Sequence, residues 1–196
     1  NYETAAANLK KLGIKADCVL ADLGFASNQM DNPSRGLSFS GDGPLDMRLD
    51  TKEGGTAAEL IQSADEKELA DIIFQLGEEP YARRIARKIV QERQNEPILG
   101  TVRLAQIVRD AYGPRARTSR LNPATRTFMA LRIAVNDELA ALDTLLVRIE
   151  AAVKGARDGS WLAPGARVGI ISFHSLEDRP VKRCFAALAA QGLGHL

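Results

Sequence analysis

The chain has 196 residues, of which 26 are Lys or Arg, 25 are Asp or Glu, two are His and two are Cys. This length is ample for a core, and a content of 45% hydrophobic and 26% charged residues excludes a disordered or fibrous chain. No apolar run approaches the roughly 18–20 residues of a membrane-spanning helix. The lone Cys18 and Cys184 exclude a disulfide scaffold and a four-ligand zinc module, so a reducing, cytoplasmic compartment is expected.

The net charge of +1 conceals a segregation of charge along the chain. Residues 1–80 carry a net charge of −8, residues 81–132 carry +9 with eleven arginines, and residues 133–196 are balanced. A basic stretch of this kind is either a footprint for a phosphate-rich partner or a set of solvated helix faces. Charge alone leaves both interpretations open.

The predicted elements begin with a helix that is already under way at Asn1 and ends at Gly13. For this reason an N-terminal portion of the protein is expected to be missing. The apolar run Ala16–Ala21 follows and is typical of a buried strand in a parallel sheet. Residues 25–55, rich in Gly, Ser, Asp, Asn and Pro, then form an unusually long loop, which predicts either a functional or a disordered segment.

Residues 56–112 are predicted to form several helices, and the sequence marks the bounds of three of them. The first of three helices is expected to start at a capping box in Ser63–Glu66 and to end at Gly77. The second turns Ile85 and Ile89 inward and carries arginines on its other faces. The third begins near Thr101, stops at Gly113 and turns inward Leu104, Ile107, Val108 and Ala111. All three lie in or beside the basic stretch.

A long apolar stripe from Phe128 to Val153 predicts one helix of about seven turns that begins near Pro123. A turn at Leu162–Gly165 leads into a second core strand, Arg167–Ser172, and a last helix follows. Strands separated by helices predict an α/β fold with a parallel sheet that is split by an all-helical insertion.

Two polar residues follow the predicted strands, Asp22 after the first and His174 after the second. Ligands of open α/β sheets bind at the carboxyl ends of the strands, so these residues are candidates for a site. Each also has a structural interpretation, as a loop-capping Asp and as a hydrogen-bonded His. Gly41–Pro44 does not match a phosphate-binding glycine loop, and the sequence contains neither a metal-ligand cluster nor a nucleophile elbow.

Four segments of the chain match the motifs of a known family. They are Asp22–Asp31 (DLGFASNQMD), Arg35–Asp50 (with RGLSF and DGPLDMRLD), Asn122–Phe128 (NPATRTF) and Ile171–Arg179 (ISFHSLEDR). Together these segments resemble the RsmH family, formerly called MraW. Its members are S-adenosylmethionine-dependent methyltransferases that act on the N4 amine of a cytidine in small-subunit (16S) ribosomal RNA.

The resemblance implies a class I, Rossmann-like methyltransferase sheet with an all-helical insertion and with the N-terminal part of the sheet missing. Residues 1–50 and 122–196 would form the methyltransferase domain, and residues 51–121 would form an insertion that helps to recognise RNA. The implied partners are small-subunit ribosomal RNA or the assembling 30S subunit, with no membrane. A homodimer is one expected assembly.

The resemblance also implies roles for individual residues, and no metal is expected. Asp22 is the candidate catalytic residue, because a carboxylate there could orient the acceptor amine or help to remove its proton. The residues implied in binding S-adenosylmethionine are Tyr2, Asp22 and Gln29. The residues implied in binding the RNA substrate are Arg35, Arg48, Arg126 and His174.

Two alternatives stay open at this point. The family's glycine-rich cofactor loop does not occur in this sequence, which allows a noncatalytic RNA-binding module derived from the family. A methyltransferase that acts on a different RNA is the second alternative.

Overall fold

A computed structural model describes residues 4–155 and 160–195. In these ranges the chain is an α/β protein with nine α-helices and two strands, and none of these helices is long and apolar enough to cross a membrane. The elements in chain order are α1 (Ala5–Lys11), β1 (Ala16–Asp22), α2 (Ser27–Met30), α3 (Ala57–Ser63), α4 (Glu66–Gly77), α5 (Ala82–Asn95), α6 (Thr101–Tyr112), α7 (Ala124–Asn136), α8 (Glu138–Lys154), β2 (Leu162–Ile171) and α9 (Ser175–Ala190).

The chain divides into two compact units. The first, here called the sheet unit, comprises Asn1–Gly24 and Glu138–Leu196, and the second, the helical unit, comprises Phe25–Asp137. The predicted insertion, residues 51–121, lies inside the helical unit, which also contains the preceding loop and α7. Its assignment as a separate functional domain stays a prediction.

The sheet unit is built on β1 and β2, which pair in parallel as predicted. Helices α1, α8 and α9 contribute to its core, where Ile149, Trp161 and Leu188 are buried. Strand β1 itself is exposed or half-buried along its length, and 70% of Leu20 is accessible to solvent. The expectation of a buried strand is therefore wrong: in the described residues β1 pairs with β2 only, and a parallel strand is buried on both faces only where other elements cover both faces.

Strand β2 begins earlier than predicted. The segment Leu162–Gly165, expected to form a turn before the strand, is an irregular part of the strand itself. The register shifts here, because Ala16 pairs with Leu162 whereas Cys18 pairs with Arg167. Gly165 has a φ of +77°, a left-handed conformation that glycine adopts without strain. The extra residues of β2 are accommodated in this irregular part of the strand, which sequence patterning did not reveal.

The helical unit has its own core, formed by α3 to α7 and by the loop before α3. Helix α4 packs against α5 and α7, and α5 packs against α6. The predicted inward faces are confirmed, since Ile85 and Ile89 of α5 and Leu104 and Val108 of α6 are fully buried.

The helix starts in this unit differ from the predicted ones. The capping box lies at Thr56 and Glu59, where the Thr56 Oγ1 accepts from the Glu59 amide at 3.2 Å and the Glu59 carboxylate accepts from the Thr56 amide at 2.7 Å. It opens α3, which lies within the block of residues 56–112 expected to be helical but for which sequence patterning gave no separate bounds. The capping box expected at Ser63–Glu66 is wrong, because the Ser63 hydroxyl donates back to the Glu59 carbonyl and Asp65 caps α4.

The single long helix expected from residue 123 onward is also wrong. The chain forms α7 and α8, separated by Asp137, which has a φ of +48° and a ψ of +40°. Asp is one of the few residues other than Gly that adopt this left-handed conformation at modest cost. The apolar stripe continues on both sides of the break, so its periodicity did not indicate it.

Candidate functional site

The carboxyl ends of β1 and β2 lie at one edge of the sheet. Asp22, the last residue of β1, pairs with Ile171, the last residue of β2, and the next amide, Leu23 N–H, donates to the Ile171 carbonyl at 3.1 Å. The prediction that Asp22 and His174 follow parallel strands at the same edge is confirmed. Asp22 is exposed, and its carboxylate has no hydrogen-bonding or ionic partner among the described residues. The group is available to a ligand.

His174 is the N-cap of α9 and lies beside a buried carboxylate. Its Nε2 is 3.2 Å from Glu177 Oε1, without hydrogen-bond geometry, and in the described part of the chain its Nδ1 has no hydrogen-bond partner. Glu177 Oε2 accepts from the Phe173 amide at 3.0 Å. His174, with only 13% of its side chain accessible, therefore contacts the groups that open α9.

Gln29 lies in the short helix α2 and stabilises the start of the long loop. Its Oε1 accepts from the Ala26 amide at 3.0 Å, which leaves the side-chain NH2 group without a partner among the described residues. Tyr2, the other residue predicted to bind the cofactor, lies outside the described residues.

The arginines of the long loop hold its backbone. Arg35 Nη2 donates to the Leu49 carbonyl at 2.7 Å. Arg48 binds both carboxylate oxygens of Asp46, each at 2.8 Å, and this hydrogen bonding lowers the pKa of Asp46 below its usual value. The guanidinium groups of two predicted substrate-binding residues are thus partly engaged within the protein.

Asn136, at the end of α7, fastens the same loop, and sequence reasoning missed it. Its Nδ2 donates to the carbonyls of Met47 and Arg132, both at 2.8 Å, and its Oδ1 accepts from the Leu49 amide at 2.6 Å. Met47 is buried with a φ of +64°, a conformation that an unbranched side chain adopts only at a cost. No local pattern marks an Asn for such a role, because its partners in the loop, Met47 and Leu49, lie almost 90 residues earlier in the chain.

The opposite side of this loop is also fixed. The Thr101 hydroxyl accepts from the Gly43 amide and donates to the Gly41 carbonyl, both at 3.1 Å, and the Leu45 amide donates to the Leu99 carbonyl at 2.8 Å. Residues 41–49 are therefore an ordered part of the helical unit, held at both ends. The sequence left a functional and a disordered loop open, and the structure removes disorder for this segment.

Arg126 is the fourth predicted substrate-binding residue. It lies on α7, and its Nη1 donates to the Glu78 carbonyl at 3.1 Å, just beyond the end of α4. A cation at this position satisfies a carbonyl that the helix leaves without an internal partner. In the described ranges no group of His, Cys, Asp and Glu side chains is arranged to hold a metal ion.

Comparison with known proteins identifies the family. A profile described as the MraW methylase family matches residues 1–193. The chain is 49% identical over 172 residues to "Ribosomal RNA small subunit methyltransferase H" of Prochlorococcus marinus (strain NATL1A), covering 87% of this chain and 54% of that protein. It is 51% identical over 177 residues to the protein of the same name from Solidesulfovibrio magneticus (strain ATCC 700980 / DSM 13731 / RS-1), covering 89% of this chain and 52% of that one.

A third relative with this name, from Prochlorococcus marinus (strain MIT 9303), is 52% identical over 168 residues, which cover 85% of this chain and 51% of the relative. The chain thus spans about half the length of the curated relatives it matches. A family profile that matches nearly every residue, together with identities near 50%, leaves no doubt about ancestry. The chain belongs to the MraW methylase family.

Proposed function

We propose that this chain functions in the S-adenosylmethionine-dependent methylation of the N4 amine of a cytidine in small-subunit ribosomal RNA. The observation that carries the proposal is the exposed carboxylate of Asp22, which has no partner among the described residues and lies at the carboxyl edge of two parallel strands. It occurs in a chain whose relatives are named as small-subunit rRNA methyltransferases. These names favour a transferase over the noncatalytic RNA-binding module. The parallel β1–β2 pair and the exposed Leu20 support a larger, Rossmann-like class I sheet.

The residues available at this edge and in α2 suit the methyl donor. S-adenosylmethionine carries hydroxyl and amino groups, which can donate hydrogen bonds to a carboxylate such as Asp22. It also carries hydrogen-bond acceptors, to which the NH2 group of Gln29, without a partner in the part of the chain that the structure describes, can donate. When bound, the donor supplies an electrophilic methyl group. Tyr2 is included in the proposal on the strength of the family resemblance alone.

The chemistry of the acceptor defines the role proposed for Asp22. The exocyclic amine of cytosine is a weak nucleophile, because its lone pair is delocalised into the ring. Asp22 would accept a hydrogen bond from one N–H of this amine, which orients the lone pair of the nitrogen. It would then take up the proton that the methylated amine loses. The target base has to be unstacked from its RNA context to reach such a group.

The positions of the cysteines argue against methylation of a ring carbon, which needs a cysteine nucleophile. Cys18 lies within β1, four residues before the carboxyl edge. Cys184 lies in α9, and burial raises the pKa of its thiol, which disfavours the reactive thiolate. Neither thiol lies at the strand ends.

The substrate-binding role of Arg35, Arg48, Arg126 and His174 remains part of the proposal. Arg35 and Arg48 would act mainly by holding the loop, because their guanidinium groups are hydrogen-bonded to Leu49 and Asp46. The proposed partner is small-subunit ribosomal RNA or the assembling 30S subunit in the cytoplasm, and a homodimer remains a hypothesis.

The test is the transfer of a labelled methyl group from S-adenosylmethionine to small-subunit rRNA, followed by mapping of the modified nucleotide. We expect label on a cytidine N4, and a rate at least about 100-fold lower for Asp22→Ala, the usual scale for loss of an acid–base group. Asp17→Ala is the matched control, because Asp17 is an exposed carboxylate on the same strand.

Each other outcome of this experiment is informative. Full activity of Asp22→Ala would remove Asp22 from the mechanism. Label at a ring carbon or in another RNA would overturn the proposed substrate. RNA binding without any methyl transfer would favour the noncatalytic RNA-binding module over the methyltransferase.

A further inference from the structure

A groove of about 450 Å³ lies in the helical unit between α4 and α5. None of the residues that line it belongs to the site proposed above. The lining side chains that matter are Asp71 and Phe74 of α4, Tyr81 just before α5, and Arg83, Arg84 and Arg87 of α5. The groove therefore combines aromatic rings with a row of guanidinium groups.

The two aromatic residues of the groove differ, because Phe74 is exposed whereas Tyr81 is held in place by its neighbours. Phe74 has 61% of its surface accessible to solvent, whereas Leu69 and Ile73 of the same helix are fully buried. The Tyr81 ring packs edge-to-face on Tyr112, with centroids 4.8 Å apart, and Arg115 lies over it at 5.6 Å. The Tyr81 amide donates to the buried Glu79 at 2.9 Å, which fixes the backbone at this point.

The basic part of the groove is one face of α5. Arg83, Arg84 and Arg87 are spaced so that they point to the same side of the helix. No carboxylate in the described part of the chain pairs with Arg83 or Arg84. Arg87 Nε lies 3.4 Å from Glu66 Oε1, and because both side chains are exposed this ion pair contributes little to stability. These cations are available to a polyanion.

The distribution of charge across the groove indicates how a nucleic acid would lie in it. Asp71 lies one helical turn before Phe74 on α4, where it repels phosphates but can accept a base N–H. The arginines of α5 attract phosphates. Bases would therefore face α4 and stack on Phe74, while the backbone would follow α5. In a duplex the bases are stacked on each other, so this arrangement suits a single strand.

We propose that the α4–α5 groove binds a single-stranded segment of RNA, with a base stacked on Phe74 and phosphates on Arg83, Arg84 and Arg87. The choice of RNA over DNA rests on the proposed function. The groove would hold the RNA by contacts that take no part in methyl transfer. Exposed aromatic rings beside arginines form the general surface on which proteins bind unpaired nucleotides.

The first experiment measures the anisotropy of a fluorescein-labelled single-stranded RNA of about 10 nucleotides, a length within the usual site size. It uses the full chain without S-adenosylmethionine. We expect the double variant Arg83→Gln/Arg84→Gln to bind about tenfold more weakly and to show a salt dependence of log K reduced by about 1.4, since each phosphate contact with a single strand contributes about 0.7. The control Arg167→Gln removes an exposed arginine of the sheet unit and should bind normally.

The second experiment separates stacking from simple apolar contact. Phe74→Leu should bind about tenfold more weakly, whereas Phe74→Trp should bind normally and lose tryptophan fluorescence when RNA is added. Leu99→Ala, which truncates another exposed apolar residue of the same unit, is the matched control. Because both positions are exposed, circular dichroism should show unchanged folding.

Wild-type-like binding by Phe74→Leu or by the double arginine variant would overturn the groove proposal, as would equal affinity for a duplex of the same sequence. Absence of RNA binding by the wild-type chain would also overturn it. These results are independent of methyl transfer, so failure of the groove proposal and failure of the proposed function are distinguishable.

Discussion

Glu79 is a fully buried carboxylate next to the start of α5, and two hydrogen-bond donors compensate for its loss of hydration. The Tyr112 hydroxyl donates to Oε2 at 2.7 Å and the Tyr81 amide donates to Oε1 at 2.9 Å. A carboxylate without such partners would be too costly to bury. The sequence shows only two adjacent acids, Glu78 and Glu79, and nothing local distinguishes the exposed one from the buried one.

This contact predicts a loss of stability at alkaline pH. Burial raises the pKa of the Tyr112 hydroxyl above its ordinary value of 10.0, and the hydrogen bond to Glu79 acts in the same direction. The unfolded chain then loses this proton at lower pH than the folded protein does. The stabilisation is therefore complete below about pH 10 and is lost as the pH rises above it.

Urea unfolding at several pH values tests this prediction. The unfolding free energy of the wild type should fall more steeply above pH 10 than that of Tyr112→Phe, which has no proton to lose there. At neutral pH the variant should be less stable by about 1–3 kcal/mol, because Glu79 loses a donor. Parallel pH profiles for the two proteins would contradict the assignment.

At the scale of elements, the contact of α4 with α7 depends on Gly77. A Cβ atom at this position would lie 2.7 Å from the Arg126 carbonyl oxygen and 3.2 Å from the Ala130 Cβ. The sequence predicted that the helix ends at Gly77, as helices often do at a left-handed glycine. In the structure Gly77 is the last helical residue and Glu78, with a φ of +48°, is the left-handed one. The glycine allows close helix packing instead.

Gly77→Ala should therefore destabilise the protein, although alanine is the better helix former by about 1 kcal/mol. A backbone carbonyl cannot move aside as a flexible side chain can, so we expect a net loss of about 1–3 kcal/mol in urea unfolding. Gly41→Ala is the control, because a Cβ atom there meets nothing within 4 Å and the φ is not left-handed. Equal stability of the two variants would show that α4 and α7 can separate without cost.

At the scale of the whole molecule, the helical unit contains a continuous core of its own. Leu45 and Met47, from the loop before α3, are buried with Phe128 and Leu131 of α7. The insertion predicted from sequence, residues 51–121, excludes all four of these residues. A separate core is the physical requirement for independent folding.

We therefore expect a fragment of residues 25–137 to fold alone, with helical circular dichroism and a single cooperative urea transition. A fragment of residues 51–121 should lack such a transition, because it lacks the loop and α7 that complete the core. Cooperative unfolding of the shorter fragment would place the boundary where sequence patterning placed it. Failure of the longer fragment to fold would show that its core needs the rest of the chain.

The sequence by itself determined the features that repeat over short distances or that are carried by contiguous motifs. Apolar spacing identified α5 and α6 with their inward faces, two short apolar runs predicted a parallel pair with Asp22 and His174 at one edge, and four motifs identified the family. Each of these depends on residues that are neighbours in the chain.

Only the tertiary structure decided the features that depend on distant residues. The exposure of β1 depends on what packs against it. The helix break at Asp137 needs only one residue in a left-handed conformation, which Asp adopts at modest cost, so the apolar pattern continues across it. Folding brings separate segments of the chain together. The hydrogen bonds of Arg35 to Leu49 and of Asn136 to Met47 form for this reason, and so does the groove between α4 and α5. Local patterns encode which residues turn inward, whereas a site is made by what those residues meet.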